Sequence, residues 1–378
     1  MRIFILSCNT GEGHNSAAKA IAEVLTARGI DSEITDGLAF LSPEVSKFIS
    51  NWHVRIYKRA PLLFNAGYRM AENHDPAPED ASMVYKALSL GAKKLYAALE
   101  AGRYDAVVST HVFASLVMRR VCQDYPISIP HYLVATDYTC SPYVAEAQAD
   151  GYFIPDEKLA DEFARCGIPK ERLIATGIPV RQIFFTPGSR SESRAALGIP
   201  ADKRVALLMS GSMGCGPIRS IARGSGRDLP DDQDLTIVCG TNKQLYRRLQ
   251  RRFYDAKNVH VRSYVKDMAL LMDSADLYLT KPGGISVTEA ASMRLPMVFI
   301  DAVAGCEEYN KDFFLRTGGA VTGQTPKEIA RTSLRLLSDK DALEKMGDAL
   351  DAAVPHNAAA NILSEMSEAE EEKEEDLA

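Results

Sequence analysis

Short apolar runs alternate with amphipathic segments along almost the whole sequence, and this alternation restricts the fold more than any other feature. The first run, Arg2–Ser7 (RIFILS), is followed by a turn and a helical pattern that closes at Gly29. Strand patterns separated by helical patterns predict an α/β protein with doubly wound parallel sheets. In such sheets, ligands bind beyond the carboxyl ends of the strands.

The chain has 378 residues, which exceeds one typical hydrophobic core and predicts two domains. We expect a first domain at residues 1–180, a linker at 181–200 that contains the sequence PGSRSESR, and a second domain at 201–353. A helix at 354–367 and a disordered acidic tail at 368–378 complete the expected organisation.

Composition excludes several classes of protein. Hydrophobic residues make up 46% and charged residues 25%, as in soluble globular proteins. No apolar run is as long as a membrane span, and the chain begins with a strand rather than a signal peptide. The seven cysteines lack CxxC or Cys/His spacing, which favours a reducing cytoplasm and no structural zinc. The net charge of −6 arises from the acidic tail, so it argues neither for nor against an anionic ligand.

The stretch Asp276–Asn310 predicts a strand, a glycine-rich turn, a helix and a second strand. Gly283 and Gly284 lack a Cβ atom, so a ligand phosphate could approach their backbone closely. The helix that begins at Ile285 would direct its free N–H groups at that phosphate. The alternative is an ordinary βαβ unit in which the glycine pair only makes a tight turn.

Polar side chains follow the same turn in an order that fits a nucleotide sugar. Glu289 lies one turn inside the helix, where its carboxylate could accept both hydroxyls of a ribose. Glu307 and Asn310 are three residues apart, so one helix face would present both to a polyhydroxylated group. Gly211 and Ser212, after another predicted strand, could offer N–H groups and a hydroxyl to a pyrophosphate.

Two further candidates lie in the first half of the chain. His14 begins the first helix, whose positive end disfavours a charged imidazolium, so a neutral base near pH 7 is plausible. The alternative is a histidine that caps the helix. The nearby GxG resembles a dinucleotide fingerprint, but Ser16 at the sixth position argues against a dehydrogenase. Asp137 follows the strand predicted at His131–Ala135, where it could orient or activate a hydroxyl or act as a turn residue.

The segment Leu38–Arg69 combines aromatic side chains with five cations, and no acid lies between Val45 and Ala71. This combination suits a membrane interface with anionic lipids. A helical pair packed on the core with a solvated basic face is the alternative. Nucleic acid is not expected as a partner, because no RRM, KH or helix-turn-helix pattern accompanies the segment.

Four motifs together carry a family resemblance: TGEGH at Thr10–His14, TD at Thr136–Asp137, SGSMG at Ser210–Gly214, and TKPGG followed by AGCEEYN. The chain resembles the monogalactosyldiacylglycerol synthases and the bacterial processive diacylglycerol glucosyltransferases, over about Arg2–Leu363. It is more distantly similar to the peptidoglycan N-acetylglucosaminyl transferase. The resemblance implies the GT-B fold, in which two facing doubly wound, Rossmann-like domains hold the acceptor and the UDP-sugar, and the last helix returns to the first domain.

The resemblance also implies an inverting, metal-independent transfer of a hexose from a UDP-sugar to a membrane lipid such as diacylglycerol, without a cofactor. The protein would lie in the cytoplasm at the inner face of the cell membrane and would contact its anionic surface through Leu38–Arg69. The implied roles are: His14 and Asp137 in catalysis, Gly211, Ser212, Gly283, Gly284 and Ile285 around the pyrophosphate, Val265 at the uracil, Glu289 at the ribose, and Glu307 and Asn310 at the sugar.

Three positions depart from the family pattern. Glu12 replaces the middle glycine of TGGGH, Cys306 replaces the glutamine of GQE, and Ser141 replaces the histidine of TDxxTCHP. Two other functions therefore stay open at this point. One is a UDP-sugar 2-epimerase of the same fold, and the other is a non-catalytic regulatory protein that binds a UDP-sugar.

Overall fold

The computed structural model describes residues 1–9, 11–42, 44, 83–186, 188–226, 229–302 and 305–377. The chain divides into two compact units, the first comprising Met1–Gln182, Ala304–Cys306 and Pro355–Ala378, the second Ile183–Val303 and Glu307–Val354. Each unit is built on a six-stranded sheet in which all neighbouring strands are parallel. The prediction of two doubly wound α/β sheets is confirmed.

The strands of the first unit are β1 Arg2–Ser7, β2 Asp31–Asp36, β3 Ala106–Ser109, β4 His131–Val134, β5 Gly151–Ile154 and β6 Leu173–Ala175. Its helices are α1 Glu12–Ala27, α2 Met83–Ser89, α3 Ala92–Gly102, α4 Val112–Asp124 and α5 Ala160–Arg165. The strand order is β2-β1-β3-β4-β5-β6. Because the direction of winding reverses between β1 and β3, a crevice opens at their carboxyl ends.

Both faces of the first sheet are buried, and this explains why β1 reads as a continuous apolar run. Ile3 and Ile5 pack in the core that contains Ile21 of α1. Phe4 and Leu6 pack in the core on the opposite face. The alternation follows from the two-residue period of a strand.

The C-terminal helix, α14 (Ala358–Leu377), belongs to the first unit. Ile362, Leu363 and Met366 pack in the same core as α1. The helix extends to Leu377, whereas the sequence leads us to expect disorder from residue 368. Alanine, glutamate and lysine favour a helix, and neither glycine nor proline interrupts this run.

The strands of the second unit are β7 Arg204–Met209, β8 Gln233–Val238, β9 Val259–Arg262, β10 Leu277–Thr280, β11 Met297–Phe299 and β12 Ala320–Thr322. Its helices are α6 Arg190–Leu197, α7 Ile218–Ser225, α8 Lys243–Arg252, α9 Met268–Ser274, α10 Gly284–Ser292, α11 Cys306–Thr317, α12 Pro326–Leu337 and α13 Lys340–Asp351. The strand order is β12-β11-β10-β7-β8-β9. Here the winding reverses between β7 and β10.

The expected linker at residues 181–200 is largely folded, because α6 lies inside it. The Arg194 guanidinium is buried, forms an ion pair of 2.6 Å with Asp276 and donates to the Ser274 carbonyl. Composition alone indicates a polar linker here. The polar residues are instead satisfied by partners about 80 positions further along the chain.

Of the segment Leu38–Arg69, the structure describes only residues 38–42 and 44. Leu38 lies in a short 3-10 turn, Gly37–Phe40, and is fully buried in the first unit. The other residues, on which the membrane prediction depends, lie outside the described residues. No helix in the described part of the chain is both long and apolar enough to cross a bilayer.

Candidate active site

His14 lies at the point where the winding of the first sheet reverses. It occupies the first turn of α1, which follows β1, and its ring meets residues that follow β3 and β4. The cap position of α1 is Gly11, which makes no side-chain cap. His14 therefore does not act as the helix cap, and its ring is directed at the carboxyl edge of the sheet.

Hydrogen bonds fix the orientation of the His14 ring. Its Nδ1 atom lies 2.9 Å from the Thr110 carbonyl oxygen and 3.1 Å from Thr136 Oγ1. A carbonyl oxygen only accepts hydrogen bonds, so we assign the proton of the neutral ring to Nδ1. Thr110 also donates its hydroxyl to the His14 carbonyl, at 3.1 Å. With Nδ1 protonated, Nε2 carries the lone pair that a general base needs.

A second histidine stands beside the first. The rings of His14 and His111 are 4.4 Å apart between centroids and meet edge to face. His111 caps α4, because its Nδ1 atom accepts a hydrogen bond from the Phe113 N–H at 3.0 Å. The neighbouring ring therefore restricts the rotation of His14.

The predicted partner Asp137 lies in the loop after β4 and is half-buried. The preceding residue, Thr136, bonds to His14, so the loop that carries Asp137 runs beside the histidine. Three residues around His14 were not predicted as site residues: Thr110, His111 and Thr136. Each lies within two residues of the end of a strand. This position in the sequence could have identified them as candidate site residues.

The second group of candidates gathers at the reversal point of the second sheet, between β7 and β10. Gly211 follows β7 and adopts a left-handed φ of +59°. A Cβ atom added there would lie 3.0 Å from Cε of Lys281, which follows β10. Only glycine suits both the backbone and this close approach. The aliphatic part of the Lys281 side chain therefore lies directly against Gly211, which was predicted to bind a pyrophosphate.

The Lys281 ammonium group forms an ion pair with Glu307 of α11. The side chains are only 19% and 14% exposed, respectively. Asp301 lies close to both charges: burial raises its pKa, the Glu307 carboxylate raises it further, and Lys281 opposes the rise. The Lys281 ammonium, paired with the Glu307 carboxylate, thus lies at the carboxyl edge of the sheet.

The turn before α10 leaves space above its backbone. Gly283 has an ordinary extended conformation, with φ −76° and ψ 129°. An added Cβ atom would meet nothing nearer than Ser286 Oγ at 3.9 Å. The fold itself does not require glycine at this position, which argues against the tight-turn explanation. No side chain caps α10, so its first N–H groups, from Gly284 and Ile285 onward, are available to an anion.

Asn310 has a different environment from the one the sequence suggests. It is 0% exposed, and its Nδ2 atom donates to the Pro282 carbonyl at 3.0 Å. This bond holds the turn in front of α10, which is a positioning role. Glu289 is half-buried within α10.

The remaining predicted residues lie in two loops at the same edge. Ser212 is next to Gly211, and its carbonyl accepts from the Thr241 N–H at 2.8 Å. Val265 is half-buried in the loop after β9, two strands away from β7. In the described part of the chain, no group of three or more His, Cys, Asp or Glu residues is arranged to hold a metal ion.

Models of two known protein families match the two halves of the chain. Residues 14–180 match the model of the monogalactosyldiacylglycerol (MGDG) synthase family, and residues 227–351 match that of glycosyl transferases group 1. The chain is similar to the MGDG synthase family in its first half and to the group 1 glycosyl transferases in its second half. The suspected family resemblance is thus confirmed.

Two similar proteins match the chain over nearly its full length. The processive diacylglycerol beta-glucosyltransferase of Staphylococcus saprophyticus is 26% identical over 94% of this chain and 90% of its own. The protein of the same name from Bacillus cereus is 26% identical over 96% of this chain and 92% of its own.

Similar solved structures show the fold of the chain. MurG of Acinetobacter baumannii is similar with a TM-score of 0.63 and 17% identity, over 97% of this chain and 99% of its own. A putative UDP-N-acetylglucosamine 2-epimerase from Listeria monocytogenes has a TM-score of 0.65 and 14% identity, over 98% of this chain and 97% of its own. These neighbours have the GT-B fold, so the predicted fold class is confirmed.

Proposed function

We propose that this glycosyltransferase is inverting and metal-independent, and that it transfers a hexose from a UDP-sugar to a membrane lipid such as diacylglycerol. The observation that carries the proposal is the approach of Lys281 to Gly211 beside the uncapped start of α10. A cation, a glycine loop and free helix N–H groups together provide a site for a diphosphate.

The donor site follows from this diphosphate position. Gly211, Ser212, Gly283 and Gly284 would surround the phosphates, Glu289 would bind the ribose, and Val265 would bind the uracil through its backbone. Glu307, held by Lys281, would meet the sugar. Two neighbours of the same fold support a UDP-sugar: Staphylococcus aureus MnaA was solved with UDP, and Anabaena HepE with UDP and glucose.

The acceptor is proposed from the names of the relatives, which act on diacylglycerol. Its hydroxyl oxygen would attack the anomeric carbon in line while the bond to the UDP oxygen breaks. His14 Nε2 would take the hydroxyl proton, because Nδ1 is committed to Thr110. Asp137 would orient the attacking hydroxyl from the neighbouring loop.

Departure of UDP leaves negative charge on the β-phosphate. The N-terminal end of α10 and the Lys281 ammonium would stabilise that charge. In this scheme the chain's own groups supply the positive charge, and neither a metal nor a cofactor takes part. The enzyme would act at the inner face of the cell membrane, where residues 38–69 would contact the anionic surface.

An epimerase is the second candidate, because a UDP-N-acetylglucosamine 2-epimerase shares the fold. A screen of UDP-hexoses against vesicles with and without diacylglycerol separates the candidates. The proposal predicts a hexosyl lipid only when both substrates are present. An altered UDP-sugar without lipid product would favour the epimerase, and UDP-sugar binding without any product would favour the regulatory protein.

A further inference from the structure

Helix α8, Lys243–Arg252, carries a block of positively charged side chains. Its sequence, KQLYRRLQRR, contains no acid. Its five cations are all exposed: Lys243, Arg247, Arg248, Arg251 and Arg252. Among the described residues, none of the five forms an ion pair. We call this set the basic face.

Packing fixes the direction of the basic face. At about 100° per residue, the five cations occupy roughly half of the helix circumference. The other half carries Leu245, Tyr246 and Leu249, which pack against the core of the second unit. Tyr254, two residues beyond the helix, is 87% exposed. The helix therefore cannot turn its arginines inward, and an aromatic ring lies at its end.

The charge pattern is unfavourable for the isolated protein. Arg247 and Arg251, like Arg248 and Arg252, are four residues apart, and like charges at this spacing repel one another. The whole chain has a net charge of −6, so the basic face does not simply reflect composition. An external array of anions would relieve the repulsion along the whole helix.

We propose that the basic face is a contact surface for an anionic phospholipid bilayer. This inference rests on the proposed function, since a lipid acceptor with two acyl chains remains in the bilayer and the enzyme must come to it. Cations spread over half a helix suit a flat array of phosphate groups. The exposed Tyr254 has the apolar body and polar tip that favour the membrane–water interface. This surface is distinct from residues 38–69.

The test is flotation of the full chain with vesicles of phosphatidylglycerol and phosphatidylcholine, without a sugar donor. Arg247→Gln/Arg251→Gln should weaken binding on the order of tenfold, since each cation near an anionic surface contributes separately. Arg331→Gln/Arg335→Gln on α12 is the matched control, because these exposed arginines have the same spacing. The control should bind as the wild type does.

Two further measurements define the kind of contact. Arg247→Lys/Arg251→Lys should retain binding, because a lipid surface responds to charge, whereas a site for one phosphate group would use the guanidinium geometry. Raising the salt concentration from 0.1 M to 1 M should release the wild type, as the Debye length falls from about 10 Å to about 3 Å. Unchanged affinity for UDP shows that each variant is folded.

Several results would overturn the inference. One is a wild type that ignores phosphatidylglycerol vesicles. Another is a double variant that floats like wild type while Arg55→Ser/Lys58→Ser/Arg59→Ser does not, which would restrict the membrane contact to residues 38–69. A third is tighter binding to an RNA homopolymer than to vesicles. The flotation assay contains no sugar donor, so its result does not depend on catalysis. If the chain floats through α8 but forms no hexosyl lipid in the screen with UDP-hexoses, only the proposed function is refuted.

Discussion

The Nδ1 atom of His14 lies 2.9 Å from the backbone carbonyl oxygen of Thr110. Because this acceptor is a backbone atom, a substitution of the Thr110 side chain does not remove it. The tautomer of His14 therefore depends on the fold of the loop after β3. The imidazole thus presents Nε2 as its proton acceptor. This relationship assigns His14 the role of base within the proposed reaction.

Replacement of His14 tests that role. His14→Ala should lower kcat by about 10²-fold or more, the contribution typical of general base catalysis. The affinity for UDP should be unchanged, because the residues proposed to bind the donor belong to the second unit. Steady-state kinetics and calorimetric titration with UDP provide both values. Full turnover by the variant would remove His14 from the mechanism.

Glu289 tests the ribose contact. Glu289→Ala should weaken the binding of UDP by roughly 1.5–3 kcal/mol, the loss expected for hydrogen bonds to a charged group. Uridine should lose affinity by the same factor, since the ribose is common to both ligands. Calorimetry with the two ligands measures this directly. Equal dissociation constants for the variant and the wild type would make Glu289 an ordinary helix residue.

Replacement of Lys281 tests the diphosphate contact. Unlike replacement of Glu289, it should affect the binding of UDP and uridine differently. Lys281→Met/Glu307→Gln removes both charges of the ion pair, so Glu307 is not left as an unpaired carboxylate. This double variant should bind UDP on the order of tenfold more weakly, with little change for uridine. A parallel loss for both ligands would indicate a general disturbance of the pocket. No loss for either would place the diphosphate elsewhere.

The strands were predictable because their signal is local. Arg2–Ser7 and Gly151–Ile154 are buried on both faces, so their sequences are apolar without interruption. Strand β4, His131–Val134, ends one residue before its predicted limit, because terminal turns vary. The last helix departs further, since it reaches Leu377 where a limit at residue 367 was expected. The folded segment at Arg194 was missed because its stabilising partner, Asp276, is 82 residues away.

Site prediction from sequence had the same limit. The position of His14 after a strand could be read from the pattern, but its contact with Thr110 spans 96 residues. Likewise, the pairing of Lys281 with Glu307 depends on how α11 packs. Asn310 was assigned to the sugar from its spacing and from the family resemblance, whereas its burial against the Pro282 carbonyl appears only in three dimensions. Positions at strand ends were predictable from the sequence, and contacts between distant loops were not.

His131 predicts how stability changes in acid. Burial lowers its pKa from 6.5 to about 4, and its Nε2 atom lies 3.0 Å and 2.9 Å from the hydroxyls of Ser109 and Ser115. Between these pKa values the unfolded chain binds the proton more readily than the folded chain. The free energy of unfolding therefore decreases as the pH falls from about 6.5 to about 4. The full loss should be about 3 kcal/mol.

Urea unfolding at pH 7 and pH 4.5 measures this effect by comparison with His131→Gln. The variant retains polar atoms for the two serines but does not titrate, so its stability should fall less over this interval. Titratable groups that do not interact with residue 131 contribute equally to both proteins and cancel in the comparison. An identical pH dependence would show that His131 is protonated equally in the folded and unfolded chains.

The most direct test of the central claim is to follow UDP release and hexosyl-lipid formation together, using UDP-glucose and diacylglycerol vesicles. We expect one UDP for each hexose transferred, a β-linked product from the α-linked donor, and the loss of both signals in His14→Ala. The account would be contradicted if UDP were released without any hexosyl lipid, or if the lipid product kept the configuration of the donor.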